Sequence, residues 1–212
     1  MRYSNIYLKK EEEDAHMMNM LLESVITYAM DRPDPFGIKT VNINEVVTNI
    51  TDEIHHKNIH PNCKFIIKDE LPVIQGVSSS LIYQVFENLM ENAVKFNKSD
   101  NPDVRISWSE TANEYIFSIS DNGIGISPIN YNNLFNIFDH KVDSKQCSGK
   151  KIGLVLCKKI IEHYGGKIWV ESFLEQGSTF YFTIRKAKAT QKNDHLYMPF
   201  SIEDASQQRN IA

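Results

Sequence analysis

No stretch of this 212-residue sequence approaches the run of ~20 apolar residues that a membrane-spanning helix requires. The start, Met1-Arg2-Tyr3-Ser4-Asn5, runs into a charged stretch rather than an apolar signal core. A basic excess is missing too. The 23 lysines and arginines face 27 aspartates and glutamates, a formal net charge of −4, which excludes an electrostatic footprint for nucleic acid. The three cysteines, Cys63, Cys147 and Cys157, are odd in number and have no CxxC spacing, which argues against zinc and against a disulfide framework. These shortages point to a reducing, cytoplasmic setting, and no internal repeat or low-complexity tract divides the chain. What is present is ordinary for one globular domain with a short appendage: 42% hydrophobic and 24% charged residues.

Hydrophobic periodicity orders the rest. Within 9–30, Met18, Leu21, Leu22, Val25, Tyr28 and Ala29 mark one helical stripe, and Arg32-Pro33 stops it. That stripe either packs onto its own domain or forms the second helix of a dimerisation hairpin. Residues 33–41, with Pro33, Pro35 and Gly37, read as a linker. A domain then spans 42–187. Asn42 and Glu45 make a capping box ahead of the apolar face Ile43, Val46, Val47, Ile50 and Ile54. Residues 63–68 read as a strand, and Ser78, Ser79 and Ser80 offer caps for a helix running to about Asn97. Val104/Ile106/Trp108 and Tyr115/Phe117/Ile119 alternate as an antiparallel hairpin. A third helix over 152–164 ends at Gly165-Gly166, and strands at 167–172 and 178–185 follow. The expected fold is α+β: a two-layer sandwich of three helices on a mixed, mostly antiparallel sheet, preceded by one N-terminal helix. Residues 188–212 lack periodicity and read as a mobile tail.

Three constellations carry chemistry. On the second domain helix, Asn88, Asn92 and Lys95 fall at i, i+4 and i+7, one stripe beside the apolar Leu81, Val85, Leu89 and Ala93. Two carboxamides and an ammonium so aligned can hold a hydrated magnesium and its phosphates, or can simply be a solvated face. Next, Asp121-Asn122-Gly123-Ile124-Gly125-Ile126 follows a strand directly. A carboxylate there can accept from the exocyclic amine of adenine, whereas guanine would oppose it with a carbonyl. Gly123 and Gly125 permit the turn and leave room for a purine, although Asp-Asn-Gly is also common in plain turns. Finally, Gly149-Lys150-Lys151-Ile152-Gly153-Leu154 leads into a helix N-terminus, whose free N–H groups suit an anion. Alone, such a basic pair is usually only a solvated loop.

In this order the three resemble the ATPase domain of histidine kinases, within the gyrase, Hsp90, histidine kinase and MutL superfamily, from about Asn42 to Arg185. ENLMENAVKF looks like the N box of that family, DNGIGI its G1 box, LFNIF its F box and GKKIGL its G2 box. LCKKIIEHYGGKIWVES and GSTFYFTI are similar as well. Among its branches, the phytochrome-like sensor kinases look closest, from MMNMLLESVITYAM, VNINEVV and NAVKF. The resemblance implies the Bergerat ATP-binding fold and a protein-histidine kinase domain holding Mg-ATP. It implies that Asn92 is the magnesium-linked asparagine, Lys95 the phosphate-contacting lysine and Phe96 the ring beside the nucleotide. Asp121 would read adenine, with Gly123, Gly125 and Ile126 shaping the pocket. Residues 127–150 would be the ATP lid, anchored by Phe135 and Phe138, whose alternative is plain core packing. Gly149, Lys150, Lys151, Gly153 and Leu154 would complete the site, with Thr179 as a pocket threonine or merely a good strand former.

Three positions set this sequence apart. Hydrolysing relatives carry a glutamate where Asn88 stands, and an amide cannot take a proton from water. Asn88 therefore points to a domain that holds ATP for another nucleophile. Glu87 and Glu91 lie about 100° away around the helix. The helix that would bear a phosphoacceptor histidine is absent, and His16 is followed by Met17-Met18 rather than an acid. Lys151 occupies the middle glycine of the G2 pattern, and it either obstructs a phosphate or reaches it. The expected function is thus the ATP-binding part of a two-component kinase, acting on a histidine elsewhere. The alternative is a degenerate module that regulates a partner kinase. ATP and ADP, magnesium, a response regulator or histidine phosphotransfer partner, and a homodimer through the N-terminal helix are the expected ligands and partners. No nucleic acid is expected among them.

Overall fold

The computed structural model describes residues 40–58, 60–128, 131, 134, 135 and 152–187. The amphipathic segment 9–30 and the tail 188–212 lie outside the described residues, as does most of 127–150.

The first element is strand β1 (Thr40–Asn42), which leads straight into helix α1 (Ile43–His56). Asn42 caps α1: its side chain accepts from Asn44 N at 3.0 Å and donates to Glu45 Oε1 at 3.0 Å, a variant of the expected capping box. The apolar face predicted from spacing, Ile43, Val46, Val47, Ile50 and Ile54, is buried throughout. Strand β2 (Lys64–Ile67) and strand β3 (Val73–Gln75) precede helix α2 (Ser79–Lys95). Ser78 is its N-cap, without a side-chain hydrogen bond to the backbone. The hairpin is strand β4 (Asp103–Glu110) with strand β5 (Glu114–Asp121), and helix α3 (Ile152–His163) precedes strands β6 (Ile168–Phe173) and β7 (Gly177–Arg185). Helix α3 ends where expected, Gly165 taking the left-handed conformation at φ +69°.

The main sheet has the order β2-β4-β5-β7-β6, with β2 parallel to β4 and every other pair antiparallel. The three described helices cover one face, giving the two-layer α+β arrangement expected. Alternation decides which residues enter the core. Val104, Ile106, Phe117, Ile119, Phe180, Phe182 and Ile184 face the helices and are buried. Phe86 of α2 meets Phe117 and Phe182 edge-on, ring centres 5.5 and 5.2 Å apart, so an aromatic knot joins the layers. The opposite sheet face is mixed, with Ser107 and Ser118 hydroxyls paired at 2.7 Å and the rings of Trp169 and Tyr181 stacked.

Thr40–Asn42 pairs antiparallel with Val73–Gln75 as a separate two-stranded ribbon, where the spacing had suggested linker and turn. Three-residue strands are too short for a period of two to register.

Candidate functional site

The stripe on α2 lies where α3 abuts it. Asn88 Nδ2 donates to Gln84 O one turn back, at 2.9 Å, and its Oδ1 faces Gly153 at the start of α3. A Cβ at Gly153 would collide with that oxygen, so the Asn88 carboxamide keeps this position because residue 153 has no side chain. Asn92 is half-buried and its carboxamide takes no hydrogen bond among the described residues; Lys95, in the last turn, is exposed. Glu87 and Glu91 point elsewhere. Lys57, just beyond α1, lies 2.7 Å from Glu91 Oε1 and 3.9 Å from Glu87 Oε1. Both acids thus turn toward α1, while Asn88 turns toward α3.

Phe96 closes α2, and its carbonyl accepts from Ile124 N at 3.1 Å. That bond pins the glycine loop following β5 onto the end of the helix. At the end of β5, Asp121 Oδ1 accepts from Gly123 N at 2.8 Å and from Ser178 N at 3.3 Å. Its second carboxylate oxygen has no partner among the described residues. Burial pushes the carboxyl above its ordinary 3.8, while the N–H groups of Gly123 and Ser178 pull it back down. A Cβ on Gly123 would lie 2.7 Å from both Asp121 Oδ1 and Phe96 O, so the loop fits against the helix end only with glycine there. Gly125 is left-handed at φ +67°, and a side chain there would run into the Phe173 carbonyl. Ile126, half-buried against the core, donates its N–H to Ser172 Oγ at 2.8 Å, and Glu175 N bonds Ile124 O at 2.8 Å. The loop is therefore braced by the β6–β7 turn, 50 residues later in sequence.

Two expected site residues sit differently. Thr179 lies on the outer face of the sheet, where its Oγ1 bonds Ser120 Oγ at 2.9 Å, one residue out of register with Asp121. The neighbour of Asp121 is Ser178, which pairs with it across the strands. Ser178 is buried, its hydroxyl 2.9 Å from that of Ser172, which donates in turn to Gly177 O at 2.8 Å. The signal for Ser178 was available: counting back by twos from the inward Phe182 and Phe180 reaches 178, not 179. Leu154 is buried in the core, so it supports α3 from below rather than lining an open surface. Phe135 packs against the core, half-buried, and so does Leu134. Gly149, Lys150, Lys151 and Phe138 lie outside the described residues.

A half-buried carboxylate with one oxygen free, a glycine loop locked to a helix end, and a carboxamide stripe on that helix now lie on one side of the fold. Residues 77–188 match the family described as Histidine kinase-, DNA gyrase B-, and HSP90-like ATPase, which is more than half of the chain. The chain belongs to that ATPase family. Cyanobacterial phytochrome A of Nostoc sp. is 31% identical over 199 residues, 90% of this chain and 26% of the relative. Phytochrome-like protein Cph1 of Synechocystis sp. is 32% identical over 79% of this chain and 22% of its own length. The chain thus spans about a quarter of the length of these relatives. Among solved structures, the nucleotide-free catalytic domain of histidine kinase ThkA aligns at a TM-score of 0.58 with 27% identity, covering 71% of this chain and 97% of that one. The fold also matches full-length ShkA in complex with AMPPNP, at a TM-score of 0.61 and 23% identity, over 85% of this chain and 39% of ShkA. The family resemblance drawn from the boxes and the fold it implied are borne out. No described helix is long and apolar enough to cross a membrane.

Proposed function

We propose that this chain is the ATP-binding catalytic part of a two-component sensor histidine kinase, holding Mg-ATP for phosphoryl transfer to a histidine on another segment or chain. The observation that carries the reading is the Asp121 carboxylate, with Oδ1 fixed by Gly123 N and Ser178 N and Oδ2 left for a ligand donor. In this reading Oδ2 accepts from the exocyclic amine of adenine, and Phe96, Gly123, Gly125 and Ile126 shape the purine end. Lys95 takes phosphate charge, joined by Gly149, Lys150 and Lys151. Membership of the ATPase family supports ATP as the nucleotide.

Magnesium fits the residues present. It keeps several waters and takes few protein oxygens, and Asn92 offers one carboxamide oxygen with no other partner among the described residues. When bound, the ion would neutralise phosphate charge. The chain's own part is to position and to exclude a general base. Asn88 holds the place from which a carboxylate would activate water, and Glu87 and Glu91 are engaged with Lys57.

The proposed organisation follows the sequence: an N-terminal helix over 9–30 that forms a homodimer, a linker to about residue 41, the ATPase domain to 187, and a tail. The proposed partner is a response regulator or a histidine phosphotransfer protein; the histidine kinase ThkA has been solved in complex with response regulator protein TrrA. The proposed setting is cytoplasmic. The test supplies γ-labelled ATP and magnesium, with and without an acceptor helix hairpin from a sensor-kinase relative. Acid-labile phosphate on the hairpin alone, with phosphate release at background, is the expected result. Steady phosphate release that Asn92→Ala abolishes, or labelling of the isolated chain that His16→Ala removes, would refute it.

A further inference from the structure

Asn122 stands between Asp121 and Gly123, and its side chain faces neither the core nor the carboxylate. Its Oδ1 accepts from Asn97 Nδ2 at 2.7 Å and from Asp103 N at 2.8 Å, and its Nδ2 donates to Asn101 O at 3.1 Å. Asn97, two residues beyond the end of α2, is buried, and its own Oδ1 accepts from Ser99 N at 2.9 Å. One carboxamide therefore ties the loop leaving α2, the start of β4 and the loop leaving β5. The Ile124 N to Phe96 O bond runs beside it. Asn122 itself is exposed, but the Asn97 carboxamide is buried and demands directional partners, so this arrangement specifies distance as well as contact.

We propose that Asn122, acting through Asn97, is a positioning residue for the nucleotide, fixing the adenine-facing carboxylate relative to the phosphate-facing end of α2. The inference rests on the ATP-binding reading above. A ligand that reaches from Asp121 to Asn92 and Lys95 is sensitive to that spacing; a ligand confined to the adenine end is not. Substituting Asn122→Leu removes all three bonds, leaving Asp103 N to solvent and the buried Asn97 Nδ2 without its acceptor. Asn122→Asp keeps the acceptor for both and gives up only the bond to Asn101 O.

The experiment titrates Mg·AMPPNP and adenosine into the wild-type chain and each variant, following amide shifts by NMR. For Asn122→Leu the expected result is an AMPPNP affinity weaker by about tenfold, with adenosine unchanged within about twofold. Asn122→Asp is expected to stay within about threefold of wild type for both ligands. Asn97→Ala, which removes the bridging amine together with the acceptor of Ser99 N, takes the place of Asn122→Leu if the latter shows no cooperative melt. Equal weakening of both ligands would make Asn122 merely structural, and unchanged AMPPNP affinity would remove its role; either overturns the proposal while leaving ATP binding intact. Failure of the wild type to bind either ligand, or an Asp121→Asn variant indifferent to both, overturns the ATP-binding reading and this inference with it.

Discussion

Replacing Asp121 by Asn exchanges one oxygen for an NH2 group, and the geometry dictates which one. Oδ1 holds two backbone N–H groups, at 2.8 and 3.3 Å. The amide keeps its oxygen there, so the NH2 takes the place of Oδ2. The adenine amine then meets a donor instead of a carboxylate. A hydrogen bond to a charged group is worth about 1.5–3 kcal/mol, and the loss translates to a Kd for ATP weaker by roughly 10- to 150-fold. Guanine carries a carbonyl oxygen at the same position, and the NH2 can donate to it. GTP is accordingly expected to tighten by about two- to tenfold, the worth of a neutral hydrogen bond. Calorimetric titration of both nucleotides against wild type and variant reads the exchange. Because burial already disfavours the ionised carboxyl, removing its charge should not lower the melting temperature at neutral pH. Unchanged ATP affinity, or equal losses for ATP and GTP in a variant that melts normally, would refute the assignment of Asp121.

Further expectations follow from the same contacts. As pH falls through the raised pKa of Asp121, the carboxyl protonates, ATP affinity drops, and the drop begins above the ordinary 3.8. The sign for stability is opposite: ionised Asp121 costs folding energy above its unfolded pKa, so protonation relieves the fold. Affinity measured against pH, with Asp121→Asn as the non-titrating reference, checks this, and identical profiles would refute it. Gly125→Ala puts a side chain at φ +67° against the Phe173 carbonyl, so a loss of about 1–3 kcal/mol in denaturant unfolding and weaker ATP binding are expected. A wild-type midpoint would contradict it. Phe86→Ala removes the helix ring that packs edge-on against the stacked Phe117 and Phe182 and should lower unfolding stability by about 3–5 kcal/mol, read from urea midpoints at constant slope; a loss under ~1 kcal/mol would mean the knot is not a core element.

The helices were legible because each carries a stripe that must be buried. The face of α1 from Ile43 to Ile54 and the α2 face from Leu81 to Ala93 both follow the helical period and are buried as spaced. Strands β4, β5 and β7 were legible from alternation. The ribbon of β1 and β3 was not, since three residues give one and a half periods and Ile74 alone is buried in β3. At the site, Asp121 and its glycines were readable only in combination: Asp-Asn-Gly is common in plain turns, and the order of the three segments singled this one out. Thr179 and Ser178, which face opposite sides of the sheet, show how a single step along a strand reverses the face a side chain presents. Asn97 and Asn122 left no trace in the sequence: two polar residues 25 positions apart share no period, and only the closing of the hairpin brings them to 2.7 Å.

The position of β7 governs when this site comes into being. It is the last strand among the described residues yet lies inside the sheet, paired with β5 on one side and β6 on the other. As the polypeptide emerges from the ribosome, β5 and its aspartate are made more than 50 residues before the strand that supplies Ser178 N. Until then β5 has an open edge, the glycine loop has no brace, and ATP has no finished pocket to stabilise. Nucleotide can therefore guard this domain against unfolding, but it cannot guide its birth. The vulnerable interval is the synthesis of residues 122–177, during which the nascent sheet must be kept from pairing with strangers.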